Sequence, residues 1–342
     1  SHEKLPQLDI VMIAGNHDSG GRIELPGPLM RRLNAHAIGR ISWIAENQLD
    51  HDRLLVPLHD AKGQVAGWCL ALPFLRPAEV TGGDAGDDYM LGIRHVHQHL
   101  IAAAEAQRQP GQTLIAMSHA HMAGGAVSED SERNIVIGNA EALPASLFPE
   151  PIAYVALGHL HKPQKVAGQE RIRYSGSPLP LSFGEINYPH QVLLVEFDGD
   201  QLAGVEPLPV PRAVEMIRIG RAPLAEVLSQ LEALPPLGLF AENLPWLEVR
   251  VQLDEPLPDL RQRIETALAG KACRLVRIAS EYRGTRGEAE SEVLLGLDQI
   301  TPQELFARAW EEQFGNPPDD QALEDFASLL QGVEFAGEGD TR

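Results

Sequence analysis

Leu8-Asp9-Ile10-Val11-Met12-Ile13-Ala14-Gly15-Asn16-His17-Asp18 is the stretch whose reading decides the fold. A short apolar run stops at Gly15, and it reads as a buried strand of a covered sheet. Past its end come an amide, an imidazole and a carboxylate. Two later runs repeat the arrangement. Residues 113–117 (TLIAM) end at Ser118-His119, and residues 152–157 (IAYVAL) end at Gly158-His159-Leu160-His161. In open α/β folds, ligands gather at the carboxyl ends of the strands. A core strand alone does not explain a histidine after each of three runs.

The residue types suggest metal chemistry. An Asn16 side-chain oxygen is a neutral, hard ligand that completes a divalent ion's shell without adding charge. The neighbouring His17 can hydrogen-bond a phosphoryl oxygen or protonate a leaving group, with Asp18 placed to orient it. His159 and His161 flank one residue, so in extended geometry both face one side and can reach a metal. Imidazole suits manganese, iron or zinc. His119 and His121 repeat that spacing after the preceding core strand. Two metals about 3.5–4 Å apart can clamp the attacking and leaving oxygens of an in-line phosphoryl displacement. Such a site needs a bridging carboxylate and at least one more Asp/His pair.

The rest of the chain sets bounds. Its 342 residues are too many for one small domain. Two cysteines, Cys69 and Cys273, lie far apart without metal-ligand spacing, which suits a reducing cytoplasm. No apolar run is long enough to span a bilayer, and no signal-peptide pattern is present. Net charge is −20, which weighs against nucleic acid. Yet residues 281–342 hold 15 acidic and 4 basic residues and so carry −11 of it, and bound metal would add positive charge.

Residues 93–107 read as a helix whose His95, His97 and His99 cannot share one face, so all three are expected in solvent. Residues 192–197 (VLLVEF) read as a strand before the turn Asp198-Gly199-Asp200. A proline-rich stretch at 207–211 marks a boundary. Beyond it a β-α-β-α-β alternation suggests a small α+β domain. Thr301-Pro302-Gln303-Glu304 is a capping box with proline at the first helical position. It opens an amphipathic helix with Phe306, Trp310 and Phe314, and a second follows with Leu323, Phe326, Leu329, Leu330 and Val333. The pair either packs on the body or meets a partner protein.

Gly-Asn-His-Asp after a strand, a later strand-end histidine and then Gly-His-x-His resemble the calcineurin-like metallophosphoesterases. Residues 72–77 (LPFLRP) and 174–183 (YSGSPLPLSF) are similar to the SbcD nuclease family within them. The likeness runs from about residue 8 to 333 and is strongest through Glu185. It implies metal ligands at Asn16, His119, His159 and His161. His119 is preferred to His121 because the family ligand sits directly after the strand. His17 would stabilise the transition state or leaving group, with Asp18 as its orienting partner.

The resemblance further implies a four-layer α/β/β/α sandwich over residues 1–207, a small α+β capping domain over 208–282, and an acidic linker with two partner-docking helices over 283–342. It implies two divalent ions, most often manganese, and exo- and endonucleolytic cleavage of DNA ends and hairpins. The implied partners are DNA and an SbcC-like ATPase docked on residues 301–333, with a homodimer inside a heterotetramer. The helix with Leu29, Met30 and Leu33 is the expected dimer contact.

The family's Asp-x-His and Gly-Asp-x-x-Asp motifs precede its Gly-Asn-His-Asp, and neither stands ahead of Gly15 here. Gly83-Asp84-Ala85-Gly86-Asp87 matches the second pattern literally, but it follows Asn16 and no strand precedes it. The expectation is therefore an N-terminally truncated nuclease lacking its bridging aspartate, the first metal's Asp/His ligands and two strands. It would bind metal weakly and cleave poorly. The alternatives are a phosphoesterase of small nucleotides or phosphoproteins, and an interaction module without catalysis.

Overall fold

A computed structural model of the chain describes residues 7–45, 48–81, 85–86, 88–126, 142–238 and 243–282, with Phe306, Trp310, Pro318 and Leu323 besides. In chain order its strands are β1 (Ile10–Ile13), β2 (Ala35–Ile38), β3 (Trp43–Ala45), β4 (Gln48–Leu49), β5 (Leu55–His59), β6 (Val65–Leu72), β7 (Thr113–His119) and β8 (Tyr154–Gly158). Then come β9 (Gln164–Val166), β10 (Gln169–Tyr174), β11 (Gln191–Asp198), β12 (Gln201–Pro209), β13 (Met216–Pro223), β14 (Trp246–Leu253) and β15 (Arg274–Tyr282). The α-helices are α1 (Gly20–Glu24), α2 (Gly27–Met30), α3 (Pro77–Val80), α4 (Tyr89–Gln107), α5 (Leu224–Glu232) and α6 (Leu260–Ala267).

The body is a mixed α/β unit on a six-stranded sheet ordered β5-β6-β7-β8-β10-β9. β6, β7, β8 and β10 run parallel, and β5 and β9 close the edges antiparallel. Strands covered on both faces read as apolar runs rather than alternations. Accordingly Leu114, Ala116, Val155 and Ile172 are wholly buried. The parallel step from β6 to β7 needs a crossover, and α4 supplies it. Asp88 Oδ1 accepts from Leu91 N at 2.9 Å and caps the helix, so it begins at Tyr89, four residues before the expected start.

The expectation of three solvated histidines on α4 needs correction. Ile93, Val96, His97, Leu100 and Ala104 form the buried face at 3–4-residue spacing. His97 lies on it, 2% exposed, while His99 is exposed and His95 half-buried. His97 donates Nδ1–H to the Ile93 carbonyl at 2.8 Å and meets Phe148 edge-on.

β1 is shorter and less covered than a fully buried strand. Its neighbour among the described residues is β2, in parallel register, and Met12 is 40% exposed. Two links tie β1 to the main sheet. Phe74 N donates to the Ala14 carbonyl at 2.9 Å, and Asp9 Oδ2 accepts from His59 N at 2.6 Å.

β11 and β12 form a second two-stranded sheet, joined through the expected Asp198-Gly199-Asp200 turn. Pairing continues to Gln191↔Pro209, two residues past the expected boundary at 207. Beyond it, β13-β14-β15 make a sheet that is wholly parallel. Two βαβ crossovers dictate that, so the unit is α/β rather than the expected α+β. Its core is Leu247, Val249 and Val251 under Val227 and Leu231 of α5 and Ile264 of α6.

Of the terminal helices expected over 301–333, Phe306 and Trp310 are helical, with ring centroids 5.5 Å apart as i, i+4 spacing allows. Leu323, expected on the second helix, is helical and half-buried, while Phe314, Phe326, Leu329, Leu330 and Val333, and Asp84 and Asp87, lie outside the described residues. Among the described residues, no helix is long and apolar enough to cross a membrane.

Candidate metal centre

The main sheet brings the motifs together at the carboxyl ends of its strands. His119 is the last residue of β7, and Gly158 the last of β8, paired with it in register. Ala120 N donates to the Gly158 carbonyl at 3.1 Å and locks the two ends together. β1 delivers Gly15 and Asn16 to the same place. Asn16 Oδ1 and His119 Nε2 stand 2.9 Å apart across 103 residues of sequence. The His119 ring meets His159 at 5.5 Å between centroids and Phe74 at 6.3 Å, both edge-on.

Two backbone features make room for this packing. Gly15 is buried, and a Cβ there would lie 2.7 Å from His119 Cε1. His159 has φ of +115°, a conformation that L side chains rarely adopt. It turns the chain directly out of β8, so His159 and His161 do not simply continue the strand as the i, i+2 reading supposed.

His161 has a partner that sequence reasoning missed. Its Nδ1 lies 2.8 Å from Oε1 of Glu185, a carboxylate with no exposed surface. Glu185 sits at the edge of the family-like run 174–183. The missed signal was a single carboxylate inside the apolar Leu181-Ser182-Phe183-Gly184 neighbourhood.

The expected pairing of Asp18 with His17 is corrected. Asp18 Oδ2 accepts from Gly15 N at 2.7 Å and closes the turn on itself. Arg76 Nη2 donates to the Asp18 carbonyl at 2.8 Å and holds the turn from outside. His17 is exposed beside it. His121 stands near the centre, its ring 5.7 Å from that of His159, and its buried Nδ1 has no hydrogen-bond partner among the described residues.

Burial pushes the His119 imidazole down to about 4, helped by its histidine neighbours and opposed by Asp18. The ring is therefore neutral at pH 7, the form a metal needs. A spacing of 2.9 Å between an amide oxygen and an imidazole nitrogen also matches neighbouring donors of one shell, which for bonds of ~2.1 Å at right angles lie about 3 Å apart. By donor chemistry and spacing, these residues fit a divalent ion. They fit part of a shell: among the described residues, no three His, Cys, Asp or Glu side chains form a group that could hold one ion.

Comparison with known proteins adds an independent line. The model of one family, described as the type 5 capsule protein repressor C-terminal domain, matches residues 212–314. The SbcD component of nuclease SbcCD from Rhodobacter capsulatus is 37% identical over 316 residues, which cover 89% of this chain and 76% of that protein. The Escherichia coli K12 protein of the same name is 30% identical over 310 residues, 87% and 73% of the two chains. That of Bacillus subtilis is 28% identical over 334 residues, 95% and 79%.

Proposed function

This chain belongs to the SbcD family, the nuclease component of SbcCD, and on that footing we propose that it is a metal-dependent DNA exonuclease and endonuclease working with an SbcC-like ATPase. The carrying observation is the meeting of Asn16 Oδ1 and His119 Nε2, 2.9 Å apart, at strand ends that also present His159 and His161. Asn16, His119, His159 and His161 would hold divalent metal, manganese by the family resemblance. Divalent metal held there would supply Lewis-acid activation of the attacking water and charge stabilisation at the phosphoryl oxygens. His17, exposed beside Asn16 in the chain, would bond a non-bridging oxygen or protonate the leaving oxygen. Arg76 and the Asp18 carboxylate fix the turn that carries it.

The same reading covers the finer architecture. The main sheet, β1–β2 and β11–β12 would belong to a four-layer nuclease domain, and β13–β15 with α5 and α6 to a capping domain. Leu25, Leu29 and Leu33 are 81%, 68% and 49% exposed, which suits burial in a homodimer contact. The helices over 301–333 would dock on the ATPase, and the compartment would be the cytoplasm, in DNA repair and recombination.

Hairpin and blunt-ended DNA incubated with manganese, the ATPase and this chain test the proposal. Cleavage that needs metal is expected. Hydrolysis of cyclic nucleotides or phosphopeptides with DNA untouched would refute the nuclease reading.

A further inference from the structure

We infer that Glu185 is a positioning residue for His161. It fixes the proton on Nδ1 and so presents Nε2 to the metal centre; the inference rests on the metal-centre reading above. Among the described residues, three groups converge on the two oxygens of this fully buried carboxylate. His161 Nδ1 lies 2.8 Å from Oε1. Ser177 Oγ donates to Oε2 at 3.0 Å, and Leu181 N donates to the same oxygen at 3.1 Å. A carboxylate only accepts, so the imidazole must carry its proton on Nδ1 to satisfy the contact. In the neutral ring Nε2 then holds the lone pair. In metalloproteins a carboxylate behind a ligating histidine fixes the tautomer and raises the basicity of the ligating nitrogen.

The surroundings hold Glu185 in place. Its main-chain carbonyl lies 3.3 Å from His190 Nε2, and His190 Nδ1 lies 3.0 Å from the Ser177 carbonyl. Ser177 N donates back to the His161 carbonyl at 2.9 Å, closing a loop of contacts from ligand to carboxylate and back. His190 and Ser177 are 5% and 8% exposed, so water does not compete for these bonds.

The geometry gives a sharp expectation for Glu185→Gln. An amide offers one accepting oxygen and one donating nitrogen. Leu181 N is a backbone donor that cannot change role, so the oxygen turns to the Leu181 and Ser177 side. The amide nitrogen then faces His161 Nδ1, which can bond it only as an acceptor. The proton moves to Nε2, the atom that would bind metal.

Two measurements on the full chain decide the matter. The first is the tautomer of His161 in metal-free protein, read from nitrogen-15 shifts of the labelled imidazole and assigned with His161→Asn. The second is manganese titration by calorimetry. Wild type should carry the proton on Nδ1. Glu185→Gln should shift it to Nε2 and lower manganese affinity by about 10–100-fold. Ser177→Ala, which leaves the His161 contact in place, should keep the wild-type tautomer.

A wild-type proton on Nε2, or an unchanged tautomer in Glu185→Gln, overturns the inference. A tautomer switch in a chain that takes up no manganese upholds the role of Glu185 and refutes the metal centre instead. Should Glu185→Gln fail to fold, the wild-type tautomer alone still decides.

Discussion

Gly15→Ala isolates the packing of His119 against the end of β1 in one methyl group. The added Cβ would stand 2.7 Å from His119 Cε1, 3.0 Å from Nδ1 and 3.1 Å from Nε2. Ordinary contact begins at 3.4 Å, so the ring must retreat by 0.7 Å at its closest atom. Gly158 crowds the other approach, since a Cβ there would be 3.0 Å from His119 Nδ1. The φ of Gly15 is not among the positive values, so alanine meets no backbone penalty and the effect acts through His119. Overpacking of this kind costs about 1–3 kcal/mol, which for a chain of this size lowers Tm by roughly 2–4 °C per kcal/mol. Metal bonds tolerate only about 0.2 Å of error, so the retreat should cost at least about tenfold in manganese affinity. Thermal unfolding with and without manganese reads both effects. Gly21→Ala is the control, because a Cβ there meets nothing within 4 Å. Lying in α1, it should be neutral or stabilising by up to about 1 kcal/mol. Unchanged Tm and manganese binding in Gly15→Ala would refute the packing argument, as would an equal loss in Gly21→Ala.

Other outcomes follow from the same geometry. Burial pushes His97 from 6.5 down to about 4, so the unfolded chain takes up a proton that the folded one refuses. Stability is then full above pH 6.5 and falls by up to about 3 kcal/mol as pH drops toward 4; His97→Leu should flatten that part of the urea-unfolding profile, and an unaltered slope would reject the assignment. His159→Gly should be more stable than His159→Ala by about 1 kcal/mol, because both lose the ring and only glycine accepts φ of +115° freely. Equal denaturation midpoints would show that the conformation is not strained. Phe306→Asp or Trp310→Asp should weaken pull-down of the ATPase partner, with about 2 kcal/mol or more at stake per buried anchor, while manganese uptake stays as in wild type; retained pull-down in both variants would remove these residues from the interface.

How much of this was legible in the sequence depended on distance along the chain. β7, β8 and the β11–β12 turn could be read because their signals are local: an apolar run, then a glycine or a polar stop. The strand-end histidines could be read for the same reason. Glu185 could not, because its contact with His161 spans 24 residues and depends on how the segment after β10 folds back. Asp18 misled through its closeness to His17. Its carboxylate found the backbone of Gly15 three residues away, a local bond that acidic side chains often make. His97 misled in another way. Alternate histidines cannot share one helical face, yet that places them on different faces and does not send all of them to solvent. One had to fall on the face that α4 turns to the sheet.

His159 shows how the fold holds the strand-end histidines together. A non-glycine residue at φ of +115° carries about 1–3 kcal/mol of strain, which persists only where the surroundings leave no alternative. On one side Gly158 is pinned by its pairing with His119 and by the bond from Ala120 N to its carbonyl. On the other, Leu160 is 2% exposed and anchored in the core. Between two fixed neighbours the His159 backbone must turn sharply, and the turn sets its ring beside those of His119 and His121. Burial, with the neighbouring histidines adding to it, keeps the His119 imidazole neutral at pH 7. The fold thus gives up stability to hold the neutral His119 ring beside His159. A structural core would pack apolar side chains without such strain, so the arrangement supports the divalent-ion site proposed above.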